Sequence, residues 1–271
     1  MPSYKGFHDD SLVISVDEAA KLAKNGNLVF IDTRNYWKYV KGHIPGAFNL
    51  ELYAFHWVDT SQDGVRAFAN QMRMLFGSFG INEKTAVVFY QNNSGYDAAR
   101  GVWLLNFLGH SKPKLLDGGL NLWKRKGLAM STEDPKPRKK SFFKDDLNES
   151  VLITKNLMSS EIKSLQLIDV RNEGEYDGTF RRAAKVGHVP GAINLEWKSA
   201  LRKDGTLKDA GQLSELYSNL DKNRETATYC QSGYRAAHSW LVLKLLGFAN
   251  VRNYLGSWYE WGNDSDTTVT K

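Results

Sequence analysis

The sequence predicts two α/β domains in tandem, each a mostly parallel sheet flanked by helices on both faces. Segments recur in the same order, strand-like and helix-like stretches alternate within each copy, and a charged stretch with prolines separates the copies. LVFIDTR (28–34) returns as LQLIDVR (165–171), GHIPGAFNLE (42–51) as GHVPGAINLEW (187–197), and SGYDAARGVWLLNFLG (94–109) as SGYRAAHSWLVLKLLG (232–247). DGGLNLW (117–123) has a looser echo in LGSWYEW (255–261). The last two pairs share an offset of 138 residues, which takes Gly95 to Gly233 and Trp123 to Trp261. Ordered recurrence of this kind marks a duplicated domain.

The first copy is assigned to residues 1–128. Ser15 followed by Glu18 resembles a capping box opening the helix VDEAAKLAKN. LVFID is a short apolar run, as in a strand buried on both faces. TAVVFY (85–90) is rich in β-formers, and the helix expected at 97–108 stops at Gly109, a residue favoured just beyond a helix end. STEDPKPRKKSFFKDD (131–146) carries charge and two prolines, so 129–149 is assigned as a linker. The second copy, 150–271, repeats the pattern with LQLID, then TATY (226–229), then a helix at 235–246 stopped by Gly247. This alternation of strand and helix builds parallel sheets.

With 271 residues, either one large core or two ordinary ones can form. No apolar run approaches the roughly 20 residues of a membrane span. The start, MPSYKGFHDD, has no basic segment followed by an apolar one, so no signal peptide is expected. The single cysteine excludes an internal disulfide framework and a zinc site of several thiolates, which suits a cytoplasmic protein. The formal charge of +6 favours small anionic substrates. Its basic residues are scattered apart from KPRKK (136–140), so nucleic-acid binding is not expected. No metal cluster or nucleotide loop stands out, and no cofactor is expected.

The one cysteine, Cys230, falls in ATYCQSGYRAAHSW (227–240), between a β-prone run and a helical one. That places it at the carboxyl end of a strand, where ligands bind in open α/β sheets. Gly233 permits a tight turn that points successive N–H groups at one centre, and the helix start and Arg235 add positive charge. Such a setting stabilises a thiolate nucleophile, and the same cradle would hold a second anion attached to the sulfur. A buried cysteine is ordinarily a small hydrophobe. The first copy argues otherwise here: three residues before Gly95 stands Asn92, so the fold does not need a thiol there. The spacing is Cys-x4-Arg, one residue shorter than the Cys-x5-Arg of protein tyrosine phosphatases. The tighter ring suits one extra sulfur better than a tetrahedral phosphate.

These residues resemble the two-domain rhodaneses. The resemblance spans nearly the whole chain, through both copies of IDxR and GH(I/V)PGA, the loop CQSGYR and the ending GSWYEWGN. It implies two tandem rhodanese-like domains with only the second active. The implied reaction is thiosulfate sulfurtransferase chemistry, moving sulfane sulfur from thiosulfate to a thiophile such as cyanide, a thiol or a protein through a Cys230 persulfide. It also implies a small anionic sulfur donor; a monomer with no membrane partner is expected. Cys230 matches the nucleophile; Gln231, Ser232, Gly233 and Tyr234 match the active loop; Arg235 would bind the donor's anionic end. Asp169, of the IDxR element, is expected near the pocket, as a substrate-binding residue or, since Asp32 with Arg34 recurs in the first copy, as scaffold, with Arg171 mainly structural. His43 and His188 occur in both copies and are expected to hold loop geometry. Trp197 is a candidate wall of the pocket. Trp258 and Trp261 could serve there or at the interface, although Trp123 in the first copy favours core packing for Trp261. The animal enzymes carry an arginine where this chain has Glu175, which leaves the preferred donor open. Mercaptopyruvate remains an alternative, since Ser232 matches the serine of that family's loop. A phosphatase or arsenate reductase, and a sulfur carrier serving a dedicated protein partner, are the competing readings.

Overall fold

The computed structural model describes residues 3–271 except 25, 27, 112 and 145. The chain runs β1 (Val13–Ile14), α1 (Val16–Ala23), β2 (Val29–Asp32), α2 (Tyr36–Tyr39), β3 (Phe48–Asn49), α3 (Gln62–Ser78), β4 (Val87–Tyr90), α4 (Tyr96–Phe107), β5 (Pro113–Leu116) and α5 (Gly119–Arg125). It then repeats as β6 (Leu152–Ile153), α6 (Lys155–Glu161), β7 (Gln166–Asp169), α7 (Glu173–Asp177), β8 (Ile193–Asn194), α8 (Ala210–Leu216), β9 (Thr226–Tyr229), α9 (Tyr234–Leu245), β10 (Val251–Tyr254) and α10 (Ser257–Trp261). Two five-stranded sheets form, in the orders β1-β5-β4-β2-β3 and β6-β10-β9-β7-β8. The two orders are equivalent strand for strand, and the pairings are parallel.

Local chemistry accounts for the elements. Every residue of β2 and β7 is buried, because helices cover both faces of each sheet. Ser15 Oγ accepts the Glu18 N–H and caps α1, whereas the reciprocal bonding of a full capping box forms at Asn172 with Glu175 and at Asp209 with Gln212. Asn25, the last residue of the helix expected there, lies outside the described residues, as do Met1, Pro2 and Asp145 of other segments read above. α4 and α9 stop as expected, with Gly109 at φ 80° and Gly247 at φ 83°.

Apolar side chains form three layers. Phe30, Val88 and Trp123 belong to a layer confined to the first half, and Leu167, Tyr229, Trp258 and Trp261 to one confined to the second. The third is common to both halves: Phe68, Phe76 and Trp103 meet Trp197, Trp240 and Leu241. α4 and α9 pack together within it. Asp117, fully buried, ties the halves through Ser94 Oγ, the Leu207 N–H, Tyr4 Oη and Lys5 Nζ, at 2.6–2.8 Å. The segment 129–149 is tethered to the first half, with Ser141 N–H on Gly77 O at 3.0 Å and Asn148 N–H on Phe107 O at 2.8 Å.

The repeated motifs are clamps. Arg34 grips both oxygens of Asp32 and donates to Gly42 O at 2.8 Å; Arg171 does the same with Asp169 and with Gly187 O at 2.7 Å. Each clamp fixes a strand end to the loop that follows. His43 stacks on Tyr39 and His188 on Tyr176, both at 3.8 Å, and each imidazole Nδ1 sits 3.0 Å from that tyrosine's carbonyl oxygen. Trp258 and Trp261 are core residues: Trp258 carries the Arg171 guanidinium 4.4 Å from its ring, and Trp261 Nε1–H donates to Thr268 O at 2.9 Å. Trp123 mirrors Trp261 with a bond to Ala129 O, also 2.9 Å.

Removing one partner of a clamp strands a buried charge. Asp32→Ala is expected to cost about 3–5 kcal/mol in chemical denaturation, against less than about 1 kcal/mol for Asp17→Ala, whose pair with Lys126 is exposed. Equal losses at the two sites would remove the clamp's claim to be structural.

Candidate active site

Residues 230–233 join β9 to α9. Gly233 makes this four-residue turn, at φ 79°; a Cβ there would lie 2.8 Å from Leu255 O and 3.2 Å from Arg100 Nη1. The turn aims the Ser232 N–H at Cys230 Sγ, 3.4 Å away. Of the expected inward ring of amides, this Ser232 contact is the one formed to the sulfur among the described residues, and the Cys230 N–H instead donates to Ser257 Oγ at 3.2 Å. Ser257 Oγ donates in turn to Tyr254 O at 2.7 Å. Ser257 sits at φ 51°, where the first copy has Gly119 at φ 54°. A non-glycine residue in that region costs about 1–3 kcal/mol, and the two hydrogen bonds offset this. The sequence reading missed Ser257, although its exchange for a glycine in the looser repeat was the visible signal.

α10 holds the loop from beneath, with the Trp258 and Tyr259 amides donating to Cys230 O and Gln231 O at 2.9 Å each. In the first copy Leu120 and Asn121 donate to Gln91 O at 2.8 Å and to Asn92 O at 2.9 Å. The counterpart of Cys230 is therefore Gln91, which directly follows β4, and not Asn92. Counting back from Gly95 gave Asn92 because the first loop, residues 91–95, carries one more residue than the second.

Cys230 is only 1% exposed, and what it shows faces a cavity of about 780 Å3. The second domain contributes Gln231, Ser232, Tyr234, Arg235, Trp197, Arg182 and Lys198 to its walls. The first domain, which has no cysteine, contributes Tyr53, His56, Val58, Tyr96 and Asp97. No motif marked Tyr53, His56 or Val58, whereas Tyr96 and Asp97 fall in the repeated SGY segment opposite Tyr234 and Arg235; all reach the cavity through domain packing.

Several expectations for individual residues change. Asp169 does not line the cavity: it is fully buried and spent on Arg171. Gly233 is absent from the lining too and acts through its turn. Tyr234 borders the cavity, but its hydroxyl donates to Leu52 O at 2.8 Å across the domain interface. Arg235 is not a free anion receptor. Its guanidinium forms a two-pronged pair with Glu175, at 2.6 and 2.9 Å, so the residue noted as a missing arginine orients the remaining one. Burial would raise the Glu175 carboxyl, but the hydrogen bonds and charge of Arg235 more than offset it and hold it below its ordinary value. Burial opposes the Arg235 charge, yet Glu175 and then Cys230 hold that guanidinium firmly protonated. Gln231 donates through Nε2 to Arg182 O at 3.2 Å, while its buried Oε1 has no partner among the described residues. Trp197 lines the cavity, packed edge-on to Tyr96 at 5.0 Å.

Asp97 stands where the second copy has Arg235. Burial first, then the charge of Glu51, pushes its carboxyl up to about 7. Thiol and cation have thus both been exchanged in the first copy. Among the described residues no group of His, Cys, Asp and Glu could hold a metal ion, and no helix is long and apolar enough to cross a membrane.

The sequence signature of the rhodanese-like domain matches this chain twice, over residues 15–126 and 154–264. The chain belongs to the rhodanese family. A thiosulfate sulfurtransferase of Pseudomonas aeruginosa is 33% identical over 267 residues, covering 97% of this chain and 98% of that one. A thiosulfate sulfurtransferase of Corynebacterium glutamicum is 33% identical over 283 residues, covering 97% and 91% respectively. Among solved structures, the anaerobic ergothioneine biosynthesis enzyme from Chlorobium limicola, in complex with trimethyl histidine, superposes with a TM-score of 0.86. It shares 21% identity over 96% of this chain and 70% of its own, a likeness of fold. This rhodanese pair thus combines one domain bearing the loop thiol with one that walls the cavity.

A raised carboxyl pKa has a definite sign in stability. Asp97 ionises near 3.8 when unfolded and about 7 when folded, so wild-type stability is lost as pH rises through that window. Asp97→Asn cannot ionise and is expected to match wild type at pH ~4 and to exceed it by about 1–3 kcal/mol at pH ~8. Melts at both pH values check this, and a parallel offset at the two would refute it.

Proposed function

We propose that the chain is a sulfurtransferase in which Cys230 carries the transferred sulfur. The observation that supports this most directly is the lone thiol at the floor of the cavity, with the Ser232 amide on its sulfur and Arg235 at the start of the next helix. The family and its thiosulfate sulfurtransferase members supply the reaction class.

The Cys230 thiolate attacks the outer sulfur of thiosulfate. A sulfur–sulfur bond forms to Cys230, the bond to the central sulfur breaks, and its electron pair leaves with sulfite. A thiophile such as cyanide then attacks the outer sulfur of the persulfide, and the thiolate returns. Charge balances at each step, and the covalent intermediate makes the kinetics two-stage. Arg235, oriented by Glu175, provides a positive wall beside the sulfur. Arg182 and Lys198, 46% and 68% exposed, can meet the sulfonate end of the donor at the mouth. Trp197, Gln231, Ser232 and the Tyr234 ring shape the rest of the site. Asp169 and Gly233 act at one remove, through the strand clamp and the turn.

The cavity volume favours a second reading alongside the first. About 780 Å3 exceeds what thiosulfate or cyanide fills, so a larger organic donor such as mercaptopyruvate, a thiol or the end of a protein acceptor can enter. The proposed unit is a single chain with residues 1–128 and 150–271 as its domains, acting in the cytoplasm on small anions.

Intact mass spectrometry tests the proposal. Incubation with thiosulfate is expected to add the mass of one sulfur atom, and cyanide to remove it. Cys230→Ala is expected to add none and to lose thiocyanate formation by at least about 1,000-fold. Thiocyanate production by that variant at wild-type rate would refute the role of Cys230. Loading by mercaptopyruvate alone would select the second reading.

A further inference from the structure

Arg100, on α4 of the first domain, is 1% exposed, and its Nη1–H donates to Gly233 O at 3.4 Å. Its guanidinium lies 4.5 Å from the Trp103 ring, 5.0 Å from Tyr234 and 5.8 Å from Phe68. Among the described residues Nε and Nη2 have no hydrogen-bond partner and no carboxylate pairs with the guanidinium. Burial pushes its pKa down to about 10, which leaves it charged at neutral pH. A buried cation without an anion is costly to keep. It sits directly behind the turn that carries Cys230.

The equivalent residue of the second copy, at the shared offset of 138, is His238. Its Nε2 lies 2.9 Å from Ser94 O, in the loop of the first copy. The contacts are reciprocal, as in an isologous pair: each domain's helix reaches the other domain's loop. The loop with the thiol receives a guanidinium. The loop without one receives an imidazole that burial pushes down to about 4, and so a neutral ring.

We propose that Arg100 is a positioning residue supplied by the first domain, holding the Gly233 turn and adding the uncompensated positive charge that favours anionic sulfur at Cys230. Arg235 is another cation that reaches the thiol, but its charge is compensated in part. Arg235 shares its charge with Glu175, and Arg182 and Lys198 are exposed to screening water. Asp97 and Glu196 in the cavity wall oppose an anion, while burial lowers the pKa of His56 and raises those of Tyr96 and Tyr234, so these three carry no charge at neutral pH. Arg100 also depresses His56, second to burial, so its field reaches the cavity. The role rests on Cys230 being the nucleophile proposed above, but the test reads the thiol itself and not sulfur transfer.

The test follows alkylation of Cys230 by iodoacetamide against pH in the full chain, for wild type, Arg100→Met, Arg100→Lys and His238→Gln. Arg100→Met is expected to move the alkylation midpoint up by about one pH unit, slowing reaction at pH ~7 by about tenfold. Its melting temperature should match or exceed wild type, because an unpaired buried charge is gone. Arg100→Lys keeps the charge and should recover most of the shift, while His238→Gln should leave the midpoint in place. An unmoved midpoint in folded Arg100→Met, or an equal shift in His238→Gln, overturns the proposal. If Arg100→Met does not fold, Arg100→Lys against His238→Gln still decides: a midpoint above wild type in both by the same amount assigns the effect to interface packing and overturns it. Cys230→Ala retaining sulfur transfer would instead remove the nucleophile reading while leaving the charge measurement intact.

Discussion

α4 and α9 are buried along nearly their whole length, each against its own sheet on one side and the other helix on the other. A helix that is apolar all round needs neighbours all round. Neither domain can cover its inner helix alone, so the two must share a layer, and that layer contains residues of both. The cavity over Cys230 follows from this sharing. Its far wall, Tyr53, His56, Tyr96 and Asp97, exists only because the first domain is held against the second.

The common scaffold makes the differences between copies informative. Both keep the aspartate–arginine clamp, the tyrosine–histidine stack and the paired amides that grip the loop carbonyls. These recur in both copies whether or not the loop carries a thiol. Four exchanges then separate the loops: Gln91 for Cys230, Asp97 for Arg235, Arg100 for His238 and Gly119 for Ser257. The last ties the cysteine's own amide to a hydroxyl and so sets where the sulfur can sit. The first copy has no thiol at this position and forms part of the cavity wall over the second copy's cysteine.

The electrostatics around the thiol is finely divided. Glu175 takes much of the charge of Arg235 in exchange for a fixed orientation, since two parallel hydrogen bonds hold a guanidinium far better than one. What reaches the sulfur is then a sum over both domains and over groups at very different depths, with the buried ones least screened by water. The cavity is walled by tyrosines and a tryptophan and rimmed by arginine and lysine.

The sequence by itself determined the duplication, the parallel sheets, the helix ends at Gly109 and Gly247, and the placement of Cys230 after a strand. Each is a local matter: repeats, apolar runs and glycine stops act over a few residues and leave their mark in order along the chain. Tertiary structure alone decided which residue of the first copy answers to Cys230, because one inserted residue shifts the register and only the hydrogen bonds from α5 and α10 show where. It decided that Asp169 faces Arg171 instead of the cavity, that Glu175 meets Arg235 sixty positions along the chain, and that Arg100 lies behind Gly233. Those contacts join residues far apart in the chain, and the burial that gives them their strength arises only when the two domains close on each other.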